Sequence, residues 1–149
     1  MTALAGSYDP KRKEGELIRY SLAAGVRVFK GALVSVSATT GYAAPAADAA
    51  GMVCAGVAFE EGNNIAGATQ YDGTVTSGAV GAVSVRVRPV GLYEYHKTGA
   101  VQADVGKQAF LVDDNTVATT ATTNNVKCGV VAALIDGGTV AILIDGRIS

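Results

Sequence analysis

Cys128–Gly146 reads CGVVAALIDGGTVAILIDG, two apolar runs on either side of Asp136-Gly137-Gly138. Asp-Gly between strand-prone runs signals a hairpin, because a two-residue primed turn needs positive φ, which glycine adopts without a Cβ clash. The stretch predicts VVAALI and VAILI paired antiparallel in a β core, with Asp136 as the first turn residue. Asp145, just before Gly146, reads as the start of the next turn. The competing reading makes the two aspartates part of a metal or acid–base site. That reading needs a third ligand, a base or a phosphate loop, and the rest of the chain offers none.

The same pattern extends outward. The chain has 149 residues, enough for one domain with a proper core. Hydrophobic residues make up 49%, yet aromatics only 6%, and tryptophan is absent, so the apolar content is mainly Ala and Val, interrupted by 19 glycines. Valine packs well on a pleated surface and dense glycine marks turns and bulges. AVSVRVRPV (82–90) is the clearest strand: Val83, Val85 and Val87 on one face, Ser84, Arg86 and Arg88 on the other, and Pro89 at a strand end or sheet edge. VRVFKGALVSVS (26–37) reads as two short strands around Lys30-Gly31, with Val34 and Val36 alternating with Ser35 and Ser37 as in a half-buried strand. MVCAGVAFE (52–60) is a buried strand closed by a turn. Residues 38–51 suit a loop, although AADAAG has the alanine content of a helix. ELIRYSLAA (16–24) is open between strand and short helix. Turns are predicted at Thr98-Gly99 and Asp113-Asp114-Asn115, and ATTATTNN (118–125) is an exposed loop or edge. The fold class is all-β: a compact barrel or jelly-roll-like sandwich of short antiparallel strands. Residues 1–20 form an N-terminal arm, and residues 21–149 a single β domain.

The net charge of −1 hides an asymmetry. Residues 1–30 hold six basic side chains against three acidic ones, whereas the remainder holds six against ten. A basic arm precedes an acidic body, and is either a solvated tail or a segment that orders on an acidic partner. The N-terminus lacks the pattern of a secretory signal, and no run reaches the length of a membrane span. Cys54 and Cys128 sit among small apolar residues and read as buried free thiols. His96, the only histidine, reads as a surface residue beside a turn, too little for a nucleophile–base pair or, with two cysteines, for zinc. Asp113, Asp114 and Asn115 lack the spacing of a calcium loop. No catalytic residue, cofactor or metal ligand is expected. Arg86 and Arg88 share a strand face, but the acidic body argues against nucleic acid, and arginine with tyrosine suits a protein interface better.

Four segments in order carry a resemblance: AAGVRVFKGALVSVS, AAGMVCAGVAFEEG, VGKQAFLVDDNTVATT and VKCGVVAALIDGGTVAILIDG. The succession resembles the capsid cement, or head decoration, proteins of tailed bacteriophages. The matching positions are Ala24, Gly25, Val28, Gly31 and Val34; Gly56, Val57 and Ala58; Gly106, Ala109 and Asp113; and Gly129, Val130, Asp136, Gly137, Gly138, Val140 and Gly146. The basic arm departs from the group's shortest members. The resemblance implies a non-enzymatic virion protein on the outer surface of the expanded capsid. Its partners would be the major capsid protein and itself, as homodimer or homotrimer, with neither nucleic acid nor membrane. Lys11, Arg12, Lys13, Arg19, Tyr20, Arg86 and Arg88 are the expected contact residues, with ELIRY adding to a sheet edge of the capsid protein or of a neighbouring copy. The alternative is a carbohydrate-binding or adhesive module that stacks sugars on Tyr93 and Tyr95.

Overall fold

The structure, a computed structural model, describes residues 16–145. Twelve strands follow in chain order: β1 (Ile18–Ser21), β2 (Arg27–Val28), β3 (Leu33–Ser37), β4 (Ala43–Pro45), β5 (Met52–Ala58) and β6 (Gly62–Asn63). Then come β7 (Ser84–Arg88), β8 (Gly91–His96), β9 (Gln108–Leu111), β10 (Val117–Ala118), β11 (Lys127–Asp136) and β12 (Thr139–Ile144). A 3-10 turn, Gln102–Asp104, precedes β9.

The strands make two five-stranded antiparallel sheets, ordered β1-β7-β5-β3-β4 and β10-β9-β11-β12-β8, and a two-stranded ribbon, β2-β6. Leu33, Cys54 and Val57 of the first sheet meet Tyr95, Leu111, Cys128, Val131, Val140, Ile142 and Ile144 of the second in a common core. A second core lies on the other side of the first sheet, where Val34, Ala55, Val85 and Val87 pack with Leu22 and Val28. The outer edges of the first sheet meet at the Leu22–Ala43 bridge, with the Ala23 N–H 2.9 Å from the Ala43 carbonyl. The architecture is a sandwich, not a closed barrel.

Burial on both sides explains a departure from the expected alternation in β3. Leu33 faces one core and Val34 the other, and Ser35, expected on a wet face, is fully buried with no partner for its hydroxyl among the described residues. In β5 the register with β3 shifts between Val34 and Ser35, which leaves Ala55 as an extra residue. That bulge lets both Cys54 and Val57 face the inter-sheet core. Gly56 completes it at φ +133°, where an added Cβ would lie 2.1 Å from the Arg88 carbonyl oxygen.

The closing hairpin forms with VVAALI and VAILI antiparallel, but its turn differs from the expected one. Asp136 pairs with Thr139, so Gly137-Gly138 is the loop and Asp136 precedes it. Neither glycine has positive φ. The Asp136 carboxylate closes the turn instead, accepting the Gly138 N–H at 2.8 Å. AADAAG forms no helix: Asp48 accepts the N–H groups of Thr123 and Asn124, both at 3.0 Å, and ties down the 122–124 loop.

Candidate functional site

β7 places the site. Val85 and Val87 are fully buried in the second core, so the alternation of the strand directs Arg86 and Arg88 to the opposite face, where both are half-buried. β1 runs antiparallel beside it, with Arg19 directly opposite Arg86 and Tyr20 opposite Val85. Arg19 therefore shares the arginine face, while Tyr20 packs against the second core, where burial pushes its phenol up from its ordinary value. ELIRYSLAA is thus resolved as a strand of the body. The segment expected to add to another protein's sheet is already paired at Ile18–Ser21 with β7.

Past the end of β5 the chain supplies a ring and a carboxylate to that face. The Arg86 and Arg88 guanidinium carbons lie 5.0 and 4.8 Å from the centroid of Phe59, within cation–π range. Glu60 takes Arg86 in a two-pronged grip, Nε to Oε1 at 3.0 Å and Nη2 to Oε2 at 2.7 Å. Hydrogen bonding from the Arg86 side chain, opposed by partial burial, holds the Glu60 carboxyl below its ordinary value. Arg88 forms no ion pair among the described residues and keeps its charge available.

Pro89 closes β7 and the chain crosses to the second sheet, so Pro89 marks a strand end rather than a sheet edge. Between the crossing strands lies a groove of about 340 Å³ lined by Lys30, Phe59, Arg88, Tyr93 and Glu94. Tyr95 closes its floor: the ring is buried and its hydroxyl donates to the Gly31 carbonyl at 2.8 Å. Desolvation raises the Tyr95 pKa well above the usual phenol range. Tyr95 is a core residue and Tyr93 is half-buried, so the two rings expected as an exposed stacking pair do not form one.

The other sequence candidates fall elsewhere. Lys11, Arg12 and Lys13 lie outside the described residues, as does Gly146. His96 is exposed at the end of β8, and Asp113 accepts the Asn115 N–H at 2.9 Å as the turn reading required. Cys54 and Cys128 are buried free thiols, and burial pushes the Cys54 thiol up to about 11, away from nucleophilic use. Asp104, the one buried carboxylate among the described residues, is a structural tie. It accepts the Val101 N–H at 2.9 Å and the Thr119 hydroxyl at 2.9 Å, with Lys97 Nζ at 3.0 Å, and these donors hold it far below the usual carboxylate range. Among the described residues no three His, Cys, Asp or Glu side chains come together as a metal would require, and no helix is long and apolar enough to cross a membrane.

Phe59, Glu60 and Lys30 are the residues that sequence reasoning passed over. Their signal is an aromatic ring followed at once by a charge where a strand ends, in FEE (59–61) and FKG (29–31). Comparison with protein-family models, with curated proteins and with solved structures finds no match. The site's chemistry is therefore the basis for assigning a role. It is a partly desolvated, arginine-rich, aromatic surface beside a groove, a composition that suits binding of anionic groups.

Proposed function

We propose that this chain is a non-enzymatic virion protein that binds the outer surface of an expanded tailed-phage capsid and cements neighbouring major capsid protein subunits. The observation that carries the reading is the Phe59-centred surface. Arg88 is stacked on Phe59 and forms no ion pair among the described residues, and Arg19 stands opposite Arg86 on the adjacent strand. A stacked arginine loses less side-chain freedom on binding a carboxylate than a free one, and arginine next to aromatic rings is the composition of interface hot spots. The rigid double-core sandwich presents this surface without rearrangement, and many copies on one shell turn modest contacts into firm attachment. Lys11, Arg12 and Lys13 extend the same basic character in sequence.

The test is sedimentation with expanded capsid shells and, separately, with polysaccharide. Pelleting with shells alone, weakened by charge reversal at Arg88 and by deletion of residues 2–16, is the expected result. Pelleting with polysaccharide and not with shells would replace the reading by the carbohydrate-binding one.

A further inference from the structure

The groove beside Arg88 has a second wall that side-chain chemistry alone does not reveal. β8 is the outermost strand of the second sheet; its ladder partner is β12, and a single parallel bridge joins its last residue, His96, to Thr116. In an antiparallel pair, alternate residues direct their N–H and C=O groups toward the partner strand and away from it. The Lys97 N–H bonds to the Gly138 carbonyl at 3.0 Å, toward the β12 side, whereas the His96 N–H turns outward to the Asn115 carbonyl at 3.1 Å. Leu92 and Glu94 have the same parity as His96, so their N–H and C=O groups also face outward. Beyond them no strand follows, and no backbone partner meets either residue on that side among the described residues. The open edge therefore begins where the Asn115–Thr116 segment stops, and it runs along the groove, which Glu94 itself lines.

We infer that the open edge of β8 at Leu92–Glu94 is a strand-addition site for an extended acidic segment of a partner protein, whose carboxylates meet Lys30 and Arg88 across the groove. Main-chain pairing to the edge supplies affinity that does not depend on sequence, and the groove supplies selectivity. Lys30 and Arg88 outnumber Glu94 on the lining, which favours an acidic occupant. Residues 1–15 of this chain carry Lys11, Arg12 and Lys13 against Asp9 and Glu14, and fit that lining poorly. The inference names the partner chemistry of the surface proposed above. It rests on that surface being a binding site, not on the partner being a capsid.

The test uses the full chain and a short synthetic peptide of alternating valine and glutamate, with the valine–lysine peptide as control, followed by amide NMR. The acidic peptide should shift the Leu92 and Glu94 amide signals and slow their exchange, and the basic peptide should not. Glu94→Pro removes an outward N–H that no ladder bond uses, so it should fold and bind at least about tenfold more weakly than Glu94→Thr. Arg88→Glu should weaken binding similarly, and it keeps the question answerable if the proline variant does not fold. Undisturbed Leu92 and Glu94 amides at about 1 mM acidic peptide, or equal binding by the proline and threonine variants, would overturn the inference. So would slow exchange of these amides in the free protein that deletion of residues 2–15 abolishes, which would give the edge to this chain's own arm. Failure to pellet with shells would remove the capsid reading and leave this result intact.

Discussion

The two faces of β7 divide the molecule's work. Val85 and Val87 vanish into the second core, while Arg86 and Arg88, one residue apart from them in sequence, sit half-exposed over Phe59. The valine side is held by apolar burial, of about 25 cal/mol per Å² removed from water. The arginine side is held by stacking and by the Glu60 ion pair, both part-exposed and weakly stabilising. One strand thus fixes the scaffold with one side and presents partly exposed arginines with the other. A change on either face should leave the other face's property intact.

The strongest challenge is at Gly56, which joins the two faces through the β5 bulge. Gly56→Ala drives a Cβ into the Arg88 carbonyl, and should destabilise the fold by about 3 kcal/mol or more in urea titration. Val87→Ala removes two fully buried methyl groups, and should cost roughly 2–3 kcal/mol by the same measurement. Folded Val87→Ala protein should still pellet with shells as the parent does. Arg88→Glu should do the reverse, leaving stability within about 0.5 kcal/mol and weakening shell binding by about tenfold or more. The smallest effect belongs to Glu60. Its carboxyl is depressed in the folded state by hydrogen bonding from Arg86, so its contribution is present above its ordinary value of 4.5 and lost as the pH falls below it. The thermal midpoints of the parent and Glu60→Gln should differ slightly at neutral pH and converge on acidification, read in low salt where screening is weak.

Much of the β framework was legible in the sequence because a period of two survives in β7, where one face meets a core and the other does not, and because Asp136-Gly137-Gly138 marks the closing hairpin. β3 hid its surroundings: Ser35 shares the face of Leu33, and the inter-sheet core covers the face it was expected to expose. The hairpin was legible in position and not in turn type, since a hydrogen bond from the Gly138 N–H to the Asp136 carboxylate took the place of positive φ at the glycines. The arm boundary at residue 20 was set by charge, and charge says nothing of the pairing that draws Ile18–Ser21 into the sheet. For the site, Arg86 and Arg88 were visible as a strand face. Phe59 and Glu60 join them through a contact between the end of β5 and β7 that no local pattern encodes. The groove and the open edge of β8 depend on strand order, which strand count does not give.

The central claim is that the Phe59–Arg88 side of the sandwich is the side that meets a capsid. Electron microscopy of expanded shells decorated with this protein tests it most directly. The expected map places Arg19, Arg86, Arg88 and the β8 edge against the shell, spanning a boundary between capsid subunits. A decorated shell with that side turned to solvent, or a shell that carries no added density at saturating protein, would contradict it.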